Sequence, residues 1–283
     1  MRLSRRANYL LRAGVGVTLA FIYLPLLIIA IYAFSSAHIL EWPPPGFTLH
    51  WFDQAFNESG PRDALFNSIK VGLGATAVAI VLGTLAAMAV ARHRFFGRET
   101  ISFLVILPIA LPGVVTGVAL NDTFTQILGV SLSLVTVAVA HATFCIVVVY
   151  NNVVARLRRT SGSIEEASAD LGAGPLQTFR YVTVPSMRTA LAAGALLAFA
   201  LSFDEIIVTY FTIGGQQTLP IWIFNILFRG TPSQLPVVNA VAVIVVLLSI
   251  IPVYFAHRLT RDEEGVSGAR GGAAVAAEGT AAP

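Results

Sequence analysis

Two adjacent acids, Asp204 and Glu205, interrupt an otherwise apolar stretch that reads ALSFDEIIVTYFTIGG. A carboxylate within a membrane span is costly unless it faces water or a partner, so such residues usually mark function. On a continuous helix, Glu205 would share one polar stripe with hydroxyl residues three, four and seven positions away. The members of this stripe are Ser202, Glu205, Thr209 and Thr212. We expect Glu205 to line a translocation path, and Asp204 either to join it at the rim or to pair within the bundle.

The alternative for both acids is a structural role, in which they hydrogen-bond to neighbouring helices through Lys70, Asn121 or Asn225. An acidic stripe with no basic residue in the core spans favours a cation as the transported species.

Other chemistry finds little support in the sequence. His141 and Cys145 lie at i, i+4 in one apolar run, but two ligands are too few for a closed metal site. No G-x-x-x-x-G-K-[ST] phosphate loop occurs, so any ATP must be hydrolysed by a separate subunit. No catalytic set is visible, and the chain is predicted not to be an enzyme and to hold no metal.

The elements that position the acids are transmembrane helices. Of the 283 residues, 56% are hydrophobic and 12% charged, whereas soluble domains carry about 25% charged residues. Six apolar runs reach the ~20 residues that cross ~30 Å of hydrocarbon. They lie near 10–35, 66–91, 100–120, 131–154, 188–212 and 236–257. This pattern predicts an all-α polytopic membrane protein with six transmembrane helices.

The arginines predict the orientation. They cluster before the first run, in the second and fourth loops, and in the tail, whereas the intervening loops hold only Arg62 and Arg229. Under the positive-inside rule, residues 1–9 and both termini are cytoplasmic, as is the loop near 155–187. The transmembrane domain is predicted to span 10–262, and the Gly/Ala-rich tail, 263–283, to be disordered.

Secondary features of the spans are also predicted. Pro108 and Pro112 should bend the third span. The amphipathic segment HWFDQAF in the outer loop is expected to lie at the membrane interface, with Trp42 and Trp51 in an aromatic belt. Small residues at i+4 spacing predict close helix packing. They form two stripes, Ala75-Ala79-Gly83-Ala87 and Ala190-Gly194-Ala198-Ser202.

A half-polar segment, residues 163–185, separates the fourth and fifth runs. Ser163 with Glu166 forms a capping-box pattern that predicts a helix start. That helix should stop at Gly172, the residue type most suited to a left-handed C-terminal turn. A Gly-Pro pair then starts a second helix that ends before Pro185. We name residues 163–185 the elbow. Its simplest interpretation is an ordinary capped loop.

The elbow also resembles the EAA motif of the membrane subunits of bacterial ABC importers. The motif reads E-A-A, three residues, G, nine residues, then I-x-L-P. The matching positions are Glu166, Ala167, Ser168, Gly172, Val182, Val184 and Pro185. Serine replaces the second alanine, and valines replace the aliphatic pair. The resemblance implies a type I ABC importer permease fold in which the elbow docks into a groove on the ATPase. The residues that it assigns to ATPase coupling are Glu165, Glu166, Ala167, Gly172 and Pro185.

The stretch SFDEIIVTYFT, followed closely by TLP, resembles the spermidine/putrescine branch of this family. The resemblance implies an importer in the bacterial inner membrane. Its other parts would be a second homologous permease, a cytoplasmic ATPase dimer that binds ATP and Mg, and a periplasmic solute-binding protein. Carboxylates would pair with ammonium groups, and Tyr210 would add a cation–π contact. The expected substrate-path residues are Ser202, Asp204, Glu205, Thr209 and Tyr210.

Three alternatives stay open at this point. One is an ABC permease for another small solute. A second is a secondary transporter driven by protons through Glu205, which would leave the spacing from Gly172 to Pro185 unexplained. The third, a membrane enzyme or scaffold, is disfavoured because the sequence shows no catalytic set.

Overall fold

The computed structural model describes residues 4–39, 41–230, 232–254 and 258. Within them the backbone is helical apart from loops and one β-bridge between Ser35 and Phe47. The α-helices are α1 (Arg5–Ala33), α2 (His50–Asn57), α3 (Ser59–Arg92), α4 (Arg98–Ala110), α5 (Gly113–Asp122), α6 (Leu134–Arg159), α7 (Ser163–Asp170), α8 (Pro175–Thr178), α9 (Val184–Ser186), α10 (Arg188–Phe203), α11 (Ile207–Thr212), α12 (Leu219–Arg229) and α13 (Leu235–Tyr254). Two π-helical turns, Thr123–Ile127 and Phe179–Thr183, continue α5 and α8. The predicted tail, 263–283, lies outside the described residues.

The helices long and apolar enough to cross a membrane are α1, α3, α6 and α13. Two bent pairs add to these four. In one pair, α4 meets α5 at 103°, and in the other the helical segment Pro175–Ser186 meets α10 at 70°. If each bent pair counts as one span, the described residues hold six spans. The all-α, polytopic architecture predicted from the apolar runs is therefore confirmed.

The 103° bend in the third span lies at the second of its two prolines. Pro112 is the N-cap of α5, directly after the extended residue Leu111. Pro108 lies within α4, which ends two residues later at Ala110. The predicted bend is confirmed at Pro112, and a bend at Pro108 stays a prediction.

The fifth span differs from its prediction, because no continuous helix covers 188–212. α10 ends at Phe203 and α11 begins at Ile207, and we call residues 204–206 the fifth-span break. No glycine or proline marks this point in the sequence. The carboxylate of Glu205 binds backbone N–H groups just after the break, and such local bonds compete with a continuous helix.

The described residues divide into two compact units, one from 64–221 and 250 onward, the other from those up to 63 and within 222–249. In the first unit, α6 lies between α3 and α10. A Cβ added at Gly83 of α3 would lie 2.9 Å from the Ile146 carbonyl oxygen, and one at Gly194 of α10 would lie 3.2 Å from the Cα of Val149. Both predicted small-residue stripes therefore provide the close packing against α6.

The second unit contains α1, α2 and the loop between them. Trp51 of α2 is only 3% exposed, and its indole N–H donates to the carbonyl of Ser35 at 2.6 Å. The amphipathic segment HWFDQAF forms most of α2. The aromatic-belt expectation is wrong for Trp51, since its polar edge is used inside the protein. Trp42, by contrast, is exposed.

Candidate functional site

The elbow begins with α7 and turns sharply at its end. Gly172 has φ +86°, a left-handed conformation that favours glycine. Its N–H donates to the Ala169 carbonyl at 2.8 Å, and the Ala173 N–H donates to the Ser168 carbonyl at 3.1 Å. These two bonds form a Schellman motif, which satisfies the last carbonyls of the helix. The predicted stop at Gly172 is confirmed.

The start of α7 differs from the predicted capping box. Ser163 is the first helical residue, and Gly162 is the N-cap, without a side chain to bond the helix. The hydroxyl of Ser161 accepts the N–H of Ser163 instead, at 3.2 Å. Glu166 is therefore not used as a cap, and its side chain is exposed.

The second arm of the elbow starts at Pro175, the first residue of α8, as predicted. It does not end before Pro185, because a π-helical turn leads into α9, which runs to Ser186. Pro185 lies in the first turn of α9, where a missing N–H costs no helical bond. The chain then bends at the fully buried Met187 into α10.

An ion pair joins the elbow to the end of α3. Arg92 Nη2 donates to Glu165 Oε1 at 3.3 Å, and Arg92 Nε lies 3.1 Å from Oε2 without the alignment of a hydrogen bond. Arg92 Nη1 also donates to the carbonyls of Leu157 and Thr160, at 3.3 and 3.2 Å. One guanidinium thus bonds the end of α6 and the first arm of the elbow.

The exposed surface of the elbow combines polar residues with large apolar ones. Four large apolar side chains on it are exposed to solvent. They are Ile164, Leu171, Leu176 and Tyr181. Exposed apolar patches with polar surroundings are typical of protein–protein contact sites.

The fifth-span break has its own internal support. Glu205 Oε1 accepts the N–H groups of Ile207 and Val208 at 2.8 and 3.0 Å. The carboxylate therefore lies at the N-terminus of α11, where unpaired N–H groups and the helix dipole favour negative charge. Its neighbour Asp204 is exposed.

His141 bridges the break from α6. Its Nδ1 lies 2.8 Å from the hydroxyl of Ser202 in α10, and its Nε2 lies 2.9 Å from the hydroxyl of Thr209 in α11. All three side chains are buried. The hydroxyl of Thr209 also donates to the carbonyl of Glu205 at 2.7 Å. The expected single stripe is wrong, because Ser202 lies on α10, Glu205 in the break and Thr209 on α11. His141 holds the two helices together.

Cys145, which lies one turn beyond His141, places its Sγ 3.3 Å from the carbonyl of Ala198. Within the described residues, no group of three or more His, Cys, Asp and Glu side chains is placed to hold a metal ion. Asn121, considered as a partner for the acids, donates instead to the carbonyl of Phe211 at 2.6 Å.

Sequence reasoning missed the contacts of Arg92 and His141. In the sequence Arg92 counts only as a boundary charge, although an arginine in the last turn of a helix often bonds nearby carbonyls. The spacing of His141 from Cys145 suggests only a metal ligand. A polar residue inside a span usually bonds across helices, and this rule favours hydroxyl partners for His141.

A helical membrane chain with two bent spans and an exposed elbow before its fifth span has the architecture of a transporter's membrane subunit. The chain belongs to the family of binding-protein-dependent transport system inner membrane components, whose sequence profile matches residues 79–262. It is a multi-pass permease subunit of an ABC importer in the inner membrane, and such subunits are not enzymes.

Named relatives cover most of the chain. The putrescine transport system permease protein PotI of Escherichia coli strain K12 is 33% identical over 233 residues, 80% of this chain and 81% of the relative. The spermidine/putrescine transport system permease protein PotC of Haemophilus influenzae is 31% identical over 255 residues, 89% of this chain and 97% of the relative.

Solved structures share the fold. A bacterial ABC transporter for the acidic polysaccharide alginate aligns with a TM-score of 0.69 at 18% identity, covering 93% of this chain and 99% of that one. The MetNI methionine ABC transporter aligns with a TM-score of 0.59 at 18% identity, covering 71% and 94%. These alignments establish the type I importer permease fold.

Proposed function

We propose that this chain forms half of the translocation path of an importer for polyamine-type organic cations. The observation that carries the proposal is an exposed acid, Asp204, in a helix break within a membrane span. The names of the relatives PotI and PotC point to the same class of cargo.

The contacts of the expected substrate-path residues separate those that would touch the cargo from those that support the break. Glu205 is partly exposed and is held by the N-terminus of α11, so it presents a fixed carboxylate beside Asp204. Tyr210 is 48% exposed and could stack on an ammonium group. Ser202 and Thr209 are buried against His141. We assign cargo contact to Asp204, Glu205 and Tyr210. Ser202 and Thr209 support the break.

The cargo assignment is tested with Asp204→Asn in the complete importer, reconstituted in proteoliposomes with radiolabelled putrescine or spermidine. A hydrogen bond to a charged group contributes about 1.5–3 kcal/mol, so kcat/KM for uptake should fall roughly tenfold to a hundredfold. Glu205→Gln should also reduce uptake, while membrane insertion stays at the level of the unsubstituted chain.

The matched control is Asp122→Asn, an exposed aspartate at the end of α5, which should leave uptake unchanged. Equal uptake by Asp204→Asn, Glu205→Gln and the unsubstituted chain would assign both acids to helix packing. Uptake of a neutral solute, with none of either polyamine, would favour an ABC permease for another cargo.

We further propose that the elbow couples the chain to a cytoplasmic ATPase dimer, which would bind the ATP and Mg. Glu166 and Ala167 are exposed on α7, while Gly172 and Pro185 shape the turn and the second arm. Glu165 faces inward, so its part in coupling is indirect. The remaining partners are a second homologous permease, a solute-binding protein outside the membrane, and the lipid bilayer.

The partners are tested by co-purification from native membranes in mild detergent, followed by mass spectrometry. We expect an ATPase and a second six-span subunit to accompany this chain. Recovery of the chain alone, from membranes shown to contain the other components, would favour a proton-driven transporter acting through Glu205.

The orientation is the last part of the proposal. The arginines at the ends of α3 and α6 flank the elbow, which supports cytoplasmic placement of the elbow and of both termini. It also supports a membrane domain over 10–262 between cytoplasmic segments 1–9 and 263–283. Ala169→Cys, exposed on α7, should react with an impermeant maleimide only in inside-out vesicles. Labelling in right-side-out vesicles alone would reverse the topology.

A further inference from the structure

Two adjacent glutamates on α7 lie in different surroundings. Glu166 is exposed, whereas the side chain of Glu165 is only 24% exposed. Glu165 accepts hydrogen bonds from Arg92 of α3 and, at 3.1 Å, from the hydroxyl of Thr183. Thr183 is 3% exposed and belongs to the second arm of the elbow. One carboxylate therefore bonds both arms of the elbow to the end of a span.

Arg92 completes this arrangement. Its side chain is 18% exposed, and its second terminal nitrogen holds the carbonyls of Leu157 and Thr160. A planar guanidinium presents its donors to the carboxylate and the two carbonyls in a fixed fork, whereas all three donors of a lysine meet at one nitrogen. The contact thus joins the last residue of α3, the end of α6 and both arms of the elbow.

The backbone alone would not hold the elbow in place. Residues 160–162 form the link from α6 into α7, and Thr160 has extended dihedral angles that end the helix. Without a side-chain contact across this link, the elbow could rotate relative to α6. At its other end, Arg156 Nε donates to the carbonyl of Ser186 at 3.0 Å, so α6 holds the elbow at both ends.

We infer that Arg92 and Glu165 form a clamp through which the elbow moves as one body with the ends of α3 and α6. Both are positioning residues, acting on the spans rather than on cargo or nucleotide. The inference rests on the proposed coupling role of the elbow. Without the clamp, closure of the ATPase would rotate the elbow while the spans stayed behind.

The direct test measures the distance between spin labels at Ala155→Cys on α6 and Ala169→Cys on α7, two exposed alanines. The assembled transporter is examined by pulsed EPR without nucleotide and after trapping with ATP and vanadate. With the clamp intact, the distance should be the same in both states. In Glu165→Ala and in Arg92→Ala it should shift and broaden on trapping. An unchanged distance in both variants would overturn the clamp. No cargo is needed for this measurement.

The functional test compares ATP hydrolysis with putrescine uptake in proteoliposomes. Glu165→Ala and Arg92→Ala should keep the ATPase bound and hydrolysing, while uptake per ATP falls roughly tenfold, within the range typical of coupling between sites. Arg92→Lys should recover part of the ratio. The matched control is Asp170→Asn, an exposed acid on the same helix, which should leave the ratio unchanged.

Failure of the clamp can be told apart from failure of the coupling proposal. If Gly172→Val uncouples the transporter but both clamp variants do not, only the clamp is wrong. If Gly172→Val also leaves coupling intact, the elbow has no coupling role, and the clamp inference falls with it. Loss of the ATPase from Glu165→Ala during purification would instead place Glu165 in the docking surface and contradict the clamp.

Discussion

The elbow and the fifth-span break each carry a pair of adjacent acids, and in each pair one acid is bonded inside the protein while the other is exposed. In the elbow these are Glu165 and Glu166, and in the break they are Glu205 and Asp204. The bonded acids differ in their partners. Glu165 pairs with the positive charge of Arg92, whereas Glu205 accepts hydrogen bonds from backbone N–H groups of α11, the helix that follows it.

The difference follows from the surroundings of each pair. At the membrane surface a full counter-charge is easily hydrated, and an ion pair can join separate elements. In a membrane span an arginine is itself costly to insert. At the break the N-terminus of α11 binds the carboxylate of Glu205 instead, and His141 shares hydrogen bonds with two hydroxyls. In the proposed importer of organic cations, this arrangement would keep the negative charge of the acids for the cargo.

The largest effect is expected when Gly172 is replaced, because that change would disrupt the elbow and leave the fifth-span break unchanged. Its φ of +86° costs about 1–2 kcal/mol for a residue with a Cβ, and the Schellman turn depends on it. Gly172→Val should lower ATP-linked uptake by about tenfold or more, with normal membrane insertion. Proteoliposome uptake and membrane fractionation provide the two readouts.

The control for Gly172 lies at the other end of the same helix. Gly162 has φ −66° and open space around its Cα, so Gly162→Ala should retain uptake. Gly172→Asn should also retain most of it, because asparagine tolerates the left-handed turn. Full uptake by Gly172→Val would show that the elbow needs no fixed geometry.

A smaller effect is expected when His141 is replaced, because that change would destabilise the fifth-span break and leave the elbow unchanged. His141→Ala leaves the hydroxyls of Ser202 and Thr209 buried without their imidazole partner. An unsatisfied buried polar group costs about 1–3 kcal/mol, so the melting temperature in detergent should fall.

The compensating variant for His141 replaces all three polar groups. Combining His141→Leu with Ser202→Ala and Thr209→Val should recover most of the lost stability, because no hydroxyl is then left unpaired. An unchanged melting temperature in His141→Ala would show that the two hydroxyls find other hydrogen-bond partners.

The smallest effect, on thermal stability, is expected from removing a neutral hydrogen bond within the elbow. This bond can be compared directly with the ion pair between Arg92 and Glu165. The hydroxyls of Ser168 and Thr178 lie 3.0 Å apart and join the two arms. Removing this bond with Ser168→Ala or Thr178→Val should cost about 0.5–1.5 kcal/mol. A double-mutant cycle on thermal stability measures it. A coupling energy larger than that between Arg92 and Glu165 would reverse the ranking of the two contacts.

Local rules predicted the turn at Gly172 and the helix start at Pro175, but not the true cap of α7, the end of the second arm or the break. Gly172 and Pro175 act through backbone preferences within a few residues, so the sequence alone indicates their roles. The break has no such residue, and an apolar run with helical spacing looks the same whether or not a carboxylate caps a new helix inside it. The partners of Arg92 and His141 lie 61 to 73 residues away along the chain, and they meet only through tertiary packing.

The contact of His141 with Ser202 and Thr209 has a consequence for biogenesis. These partners follow His141 by 61 and 68 residues, so α6 leaves the ribosome before either hydroxyl has been synthesised. During that interval the imidazole is a polar group in an apolar segment, which favours retention of α6 at the translocon or beside water. Because α10 and α11 carry these hydroxyls, the imidazole of α6 gains both hydrogen bonds only when the two helices dock against it.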